Sequence, residues 1–402
     1  MTQRKRSARF IAVGVGQGDA FFLDRGRCTI LVDGGRSIEG FPAQFQKATK
    51  RECVDILVCT HNDADHACGV LGFLRGGLTC REVWLPGSWT DRLEDLLLHP
   101  GDFTGELVSN IEEIEVEVPH ERRLSLQDLG DQYHERIMKR ESNSDATRTK
   151  EMDPDALSEA LEMAANMETY KYMFWLYPPS WPPEEWLNLW CELRWMFRRN
   201  HERFSLFVEA LTAAAFIREI ALAAYHMGAF IRWFEYDSVA NSGGIPNCLV
   251  PLNAREVFRM RVRRWSALQF LALTTSNKQS LVFLSPANDE EPAVLFTADS
   301  DLAFSQCVPW TRGMIVTVPH HGSEANKNAY DRFARETSNA LDVIWVRSDG
   351  RFKARPGSSY LNAHGHRFCT LCRGSNHPKQ DVRLTLHSGR WRPVFTRRCC
   401  CV

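Results

Sequence analysis

No run of about 18 apolar residues occurs in the 402-residue chain, so no stretch has the length and hydrophobicity of a membrane-crossing helix. Internal repeats and low-complexity tracts are missing too, which argues against repeat arrays and disordered tails. A secretory leader is not expected either: Met1–Phe10 is basic, but the apolar stretch after it is broken at once by Gly14, Gly16 and Asp19. Net charge is nearly absent at −1, so the whole chain has no lean toward a polyanion. Its distribution is another matter. Residues 82–170 hold 22 acidic and 8 basic side chains, whereas residues 345–402 hold 12 basic and 2 acidic. One region is thus suited to phosphate and another is not. A hydrophobic content of 44% with 25% charged residues is ordinary for a globular protein, and the length leaves room for two domains. Thirteen cysteines, an odd and scattered set, are expected as free thiols in a reducing cytoplasm.

The densest chemistry lies in Thr60-His61-Asn62-Asp63-Ala64-Asp65-His66, directly after the apolar run Val54–Cys59. That run reads as a buried strand. Two imidazoles and two carboxylates at its end give a rigid edge with the donor types that divalent metals need. Helix capping by Asn62 or Asp63 is the plainer reading, but a cap needs one such side chain rather than four.

His61-x-Asp63-x-Asp65-His66 resembles the main metal motif of the metallo-β-lactamase fold, in the variant with Asp in third place. That variant is similar to the hydrolase domain of ComEC-type DNA-uptake (competence) proteins and their soluble relatives. Val15–Ala20, Ile30–Gly35, Asn277–Val282, Leu295–Asp299 and Val318–Ser323 agree in order, the last through its double His followed by Gly-Ser. The resemblance covers about residues 8–85 and 265–390. It implies an α/β (α+β) four-layer αββα sandwich with a large helical insertion. The expected organisation is residues 1–87 as the first half of the fold, 88–230 as the insertion and 231–402 as the second half with a basic C-terminal region.

Along the chain, Arg9–Leu23 and Cys28–Val32 read as a hairpin, Ile38–Lys50 as a helix, and Val83–Pro86 and Phe230–Tyr236 as strands. Residues from about 88 to 230 read as helical in character, and the highly charged Leu124–Asp155 is expected to include an exposed or mobile loop. Glu184–Phe197 and Phe204–Met227 read as helices with buried aromatic faces, Trp186, Trp190, Phe207 and Phe216 among them; a groove for a protein partner is the rival use of those faces. The second half of the fold is expected to resume with Ala267–Thr274, Ser280–Ser285 and Ala293–Thr297, with Met314–Val318 and Leu341–Val346 as strands. His99, His120 and His134 are expected on the surface, without metal.

By resemblance, two divalent ions (zinc, manganese or magnesium) are expected, with His61 and Asp63 at one position, Asp65 and His66 at the other, and Asp299 between them. His320 is favoured to complete the set and His321 to face substrate. Asp65 is the expected base or orienting group; His321 or His377, the latter in a late His-Pro element, would protonate the leaving oxygen. Asp33 is expected to orient the His61 loop, and Asp19 to be a structural turn residue or to join the site. A further His usual in the fold is missing near Asn277–Ser280, which leaves one metal position poor in ligands. Carboxylate-rich ligation favours manganese or magnesium over zinc. His364, His366, Cys369 and Cys372 have metal-ligand spacing of their own and, with Cys399, Cys400 and Cys401 as further donors, form a candidate structural zinc site; reduced loop cysteines are the alternative.

These features lead to the expectation of a metal-dependent phosphodiesterase or nuclease acting on nucleic acid. Hydrolysis of a small phosphodiester, nucleotide signal or ester is the second reading. A regulated subunit of a defence or DNA-processing assembly, docked through the insertion, is the third.

Overall fold

The computed structural model describes residues 7–114, 125–141, 150–152, 154–166, 201–257, 260–262, 265–338, 340–350, 352, 354–372 and 378–401. In chain order the strands are β1 (Arg9–Ala12), β2 (Phe21–Asp24), β3 (Thr29–Val32), β4 (Cys53–Val58), β5 (Thr79–Pro86), β6 (Lys150–Met152), β7 (Phe230–Tyr236), β8 (Val250–Pro251) and β9 (Ala254–Val257). They continue with β10 (Met260–Val262), β11 (Phe283–Ser285), β12 (Val294–Phe296), β13 (Ile315–Thr317), β14 (Ile344–Arg347), β15 (His366–Cys369), β16 (Val382–His387) and β17 (Arg390–Pro393).

The chain divides into two compact units, the first made of residues 1–87, 227–257 and 277–402. It contains a nine-stranded sheet in the order β17-β16-β1-β2-β3-β4-β5-β7-β9 and a six-stranded sheet in the order β15-β14-β13-β12-β11-β8. The centre of the larger sheet is parallel, from β3 through β4 and β5 to β7, with Ile30 opposite Ile56. Its buried strands are apolar on both faces rather than alternating, because helices cover the outer face while the second sheet covers the inner one. Phe10, Phe21, Trp84, Phe283 and Phe296 share the core between the sheets; the Phe10 and Phe296 rings lie 6.4 Å apart and those of Trp84 and Phe283 5.6 Å. Outside the larger sheet, Phe45 of helix Phe41–Thr49 meets Phe22 and also Phe73 of helix Ala64–Arg75. Outside the smaller sheet, Tyr330 and Phe333 of helix Lys327–Thr337 pack on Trp345. These are the four layers of an αββα sandwich, and each fully buried ring contributes about 1.5–3 kcal/mol of transfer free energy.

The second unit comprises residues 88–226 and 258–276. It is helical, with helices Leu93–Leu98, Pro100–Glu112, Leu126–Glu141, Pro154–Asn166, His201–His226 and Ala267–Thr275, and a two-stranded ribbon of β6 and β10. Arg92 makes a two-armed contact with Glu106, whose carboxylate also accepts the Ala267 N–H at 3.0 Å. Phe207 and Phe216 are buried, as their spacing predicts.

Several expectations are corrected here. Ala267–Thr274, where the second half of the fold was expected to resume, is a helix that belongs to the second unit: Ser266 and Gln269 form a reciprocal capping box at its start, which fixes helical entry. Within the charged stretch Leu126–Glu141 is a helix with Leu126 and Leu129 buried. His134 is buried, although His99 is exposed. Arg9–Leu23 forms two strands separated by a loop, and that loop carries Asp19. Cys28 and Cys248 form a disulfide, so free thiols do not extend to this pair. His120, Trp186, Trp190 and His377 lie outside the described residues. Among the described residues, no helix is long and apolar enough to cross a membrane.

Candidate metal centre

Strand β4 ends at Val58, and the next eight residues deliver His61, Asp63, Asp65 and His66. Asp63 is the N-cap of helix Ala64–Arg75, its carboxylate accepting the Ala64 N–H at 2.6 Å. The capping reading therefore holds for Asp63, and the helix it starts carries Asp65 and His66 on its first turn. Close backbone approach makes this possible. A Cβ on Gly69 would lie 1.9 Å from the Gly34 carbonyl oxygen, and the Gly34 N–H donates to the His66 carbonyl at 3.1 Å. Only glycine lets the loop after β3 lie against that helix.

Asp33 sits in this loop, with a left-handed φ of 58°. Its carboxylate accepts from the Thr60 N–H at 2.9 Å and the Thr60 hydroxyl at 2.8 Å, and from His66 Nδ1 at 2.8 Å. It thus orients both the His61 loop and the His66 ring, and turns His66 Nε2 toward the centre. There Nε2 lies 3.2 Å from Asp299 Oδ1 and 3.9 Å from Asp65 Oδ1. The His61 and His66 ring centroids are 4.3 Å apart.

The opposite wall comes from the smaller sheet. The turn after β13 holds His320 and His321 at φ 44° and 55°, a conformation that non-glycine residues seldom adopt and that costs about 1–3 kcal/mol apiece. Ala298, just before Asp299, is also left-handed at φ 46°. His321 Nδ1 donates to the Ser348 carbonyl at 2.8 Å, which leaves its Nε2 3.5 Å from Asp65 Oδ2 and 3.7 Å from Asp299 Oδ1. The Ser348 hydroxyl in turn donates to the Gly18 carbonyl at 2.7 Å, next to Asp19, and Asp19 Oδ1 lies 3.2 Å from His321 Nδ1. His320 Nδ1 donates to Asn326 Oδ1 at 2.8 Å, while its Nε2 is 3.6 Å from Asp299 Oδ2.

Among the described residues, four His/Asp sets of donor atoms are each mutually within 4.8 Å: His61, His66 and Asp299; Asp65, His66 and His321; Asp19, Asp33 and His66; Asp19, Asp299 and His321. His321, expected to face substrate, is 1% exposed and belongs to two of them, whereas the favoured His320 belongs to none. Asp63 is in none as well. Asp19 is buried and in two, a place that its Gly-rich turn concealed in the sequence. Asn326, Ser348 and Arg347, which anchor the two histidines, carry no sequence signal of their own.

The electrostatics are those of a site built for positive charge. Burial alone would raise the Asp299 carboxyl, but His320, His66 and His321 hold it well below the usual range. Asp65 is likewise held low, against burial, by His321 and His66. Burial would lower His66 and His321, yet Asp299 and Asp33 carry His66 well above 6.5, and Asp19 and Asp299 do the same for His321. Burial, with His66 beside it, drives His61 down to about 4, so this imidazole is neutral near pH 7. Burial and then Asp65 push the Asp63 carboxyl up to about 6. His61 Nε2, His66 Nε2, His321 Nε2 and Asp299 Oδ1 are all buried without a hydrogen-bond partner. Buried polar atoms in that state are costly unless a ligand satisfies them, and imidazole nitrogens mixed with carboxylates are a set that divalent metals satisfy.

A second donor group lies elsewhere in this unit: the thiols of Cys369, Cys372, Cys399 and Cys401. His364 and His366 are not in it. His364 contacts the Leu341 carbonyl and His366 lies 3.7 Å from Asp342, so the His-Gly-His half of that motif turns away.

No curated protein matches the chain. Residues 13–77, from the loop bearing Asp19 to the end of the helix bearing His66, match the family model of the metallo-beta-lactamase superfamily, which implies a metal-dependent hydrolase in general.

Proposed function

We propose that the chain is a metal-dependent phosphodiesterase acting on nucleic acid. The observation that carries this reading is the gathering of Asp19, His61, Asp65, His66, Asp299 and His321 into overlapping buried donor sets, with six of their donor atoms lacking hydrogen-bond partners. In the proposed assignment His61, His66 and Asp299 serve one ion, Asp65 and His321 serve the other with Asp299 shared, and the oxygen-rich set favours manganese or magnesium. Asp63 keeps its cap and is an accessory ligand at most.

Bound divalent ions would supply an ionised water near neutral pH and offset charge on the phosphate oxygens. Asp65, ionised and beside His321, orients the attacking water. His320 is the partly exposed imidazole of the pair, with its Nδ1 held by Asn326. As an imidazolium, with Nδ1–H held by Asn326, this ring would give its Nε2 proton to the leaving oxygen and become neutral, a role first expected for His321 or His377. Substrate contact falls to basic side chains around the same loops. Lys379 Nζ comes within 3.9 Å of where a Gly16 Cβ would stand, and Arg36 donates to Gln17. Arg355 lies 4.5 Å over the part-exposed Phe352 ring, a stacked pair suited to a base, and contacts Asp349 beside Ser348. Arg390, Arg392, Arg397 and Arg398 are exposed further along this unit.

The test is turnover of labelled single- and double-stranded DNA and RNA, and of small phosphodiesters, in manganese, magnesium and zinc. Cleavage of a polynucleotide supports the reading. Turnover confined to nucleotides or esters would replace it with the second expectation, and none without an added partner protein would favour the third.

A further inference from the structure

We propose that Cys369, Cys372, Cys399 and Cys401 hold one tetrahedral zinc ion that clips the segment after β17 to the edge of the smaller sheet. The four sulfurs come from two places. Cys369 is the last residue of β15 and Cys372 follows on the next turn; both are buried. Cys399 and Cys401, both half-buried, follow the β16–β17 hairpin. β15 ends one row of the six-stranded sheet and β17 ends one row of the nine-stranded sheet, so the site joins the two edges. Backbone pairing brings the segments together independently of the thiols. Phe368 and Arg398 form an antiparallel bridge, and the Cys399 N–H donates to the Arg367 carbonyl at 3.0 Å. Gln380 ties both sides, donating to the Cys369 carbonyl at 3.0 Å and the Arg397 carbonyl at 3.1 Å.

The geometry fits zinc rather than a pair of cross-links. All four sulfurs lie mutually within 4.8 Å, around a single point. In a tetrahedral site with Zn–S near 2.3 Å the sulfurs stand about 3.8 Å apart, so Cys369 Sγ and Cys399 Sγ, 2.9 Å apart here, would move apart as the ion enters. Cys28 and Cys248 are joined as a disulfide in this structure, whereas these four thiols are gathered without a disulfide bond among them. The Cys400 N–H points at Cys372 Sγ and the Cys401 N–H at Cys399 Sγ, each at 3.4 Å. Amide donors of this kind orient and stabilise thiolate ligands. Four thiolates around one divalent ion leave a net charge of about −2, and the buried Arg347, which interacts with Cys369, opposes it. Arg347 gives the clip a wider reach. Fully buried, it donates from Nη1 to the Leu371 carbonyl at 3.2 Å, inside the Cys369–Cys372 turn, and from Nε to the His321 carbonyl at 2.7 Å. A firm clip therefore also braces the strained turn of the double His.

The experiment uses the purified full chain. Metal analysis is expected to find one zinc equivalent that survives in His66→Ala and is lost in a Cys369→Ser/Cys372→Ser double variant. Exchange with cobalt(II) is expected to give the intense visible and thiolate charge-transfer absorption of a sulfur-ligated tetrahedral ion in the wild type and in His66→Ala. Because the double variant risks misfolding, alkylation followed by mass spectrometry is run on the wild type alone. Cys53 and Cys307, exposed free thiols, should label at once. Cys369, Cys372, Cys399 and Cys401 should label only after treatment with phenanthroline. Immediate labelling of those four, disulfide-linked peptides among them, or cobalt spectra without thiolate absorption would each overturn the assignment.

Discussion

At the residue scale, the account rests on which histidine does what. His321→Ala should lose about one metal equivalent together with activity. His320→Ala should keep its metal and lose turnover by about 10²–10⁴-fold, the usual worth of a general acid. Metal content and rate measured on the two variants side by side check this, and loss of metal from His320→Ala alone would exchange their roles. Proton linkage gives a second expectation. His66 and His321 have folded-state values raised well above 6.5 without metal. Their contribution to stability is therefore complete below about pH 6.5 and is lost as pH climbs through the raised values. Thermal melting of metal-stripped protein should fall from about pH 6 to about pH 9, while the gain on adding metal should grow, since ligation needs neutral imidazoles. A flat profile would contradict the proposed charge balance. That His61, Asp65 and His66 lie close together was legible in the sequence because such donors crowded at a strand end have few other uses, whereas Asp299 was pointed to only by the resemblance. The order of His320 and His321 was not, because it depends on two left-handed residues. Nor was the place of Asp19, because a lone Asp among glycines looks like any turn.

At the element scale, glycine contacts and burial decide what the chain tolerates. Gly69→Ala forces a methyl into the Gly34 backbone and should cost about 1–3 kcal/mol by overpacking, with weaker metal binding as the His66 helix shifts. Gly105→Ala, in the interior of helix Pro100–Glu112 with nothing within 4 Å of the new Cβ, should instead gain about 0.5–1 kcal/mol. Melting curves of the two variants should move in opposite directions. The strands with continuous apolar runs were legible, as were the helices with a clear polar face. Helix Ala267–Thr275 was not: eight of its nine residues are buried, so it shows no polar face, and a short apolar run reads equally as strand. The capping pair Ser266 and Gln269 was the available signal.

At the scale of the whole molecule, charge is segregated along the chain, and the exposed arginines after β16 are the natural place for long-range attraction. If they contact phosphate, affinity for nucleic acid should fall steeply with salt, and the combined Arg390→Ala, Arg392→Ala, Arg397→Ala and Arg398→Ala variant should flatten that slope. An unchanged slope would place the polyanion elsewhere. Long-range pairing was beyond the sequence: β1 pairs with β16, so Arg9 stands opposite Thr385, and no local pattern records that. The same holds for residues 258–276, which lie far along the chain yet belong to the helical unit. The most direct measurement of the central claim is cleavage of a labelled oligonucleotide by metal-stripped protein as manganese is titrated back, beside Asp299→Ala. The account predicts no cleavage without metal, saturable recovery in the wild type, and none in the variant at any manganese concentration. Cleavage that ignores metal removal, or a variant that recovers like the wild type, would contradict it.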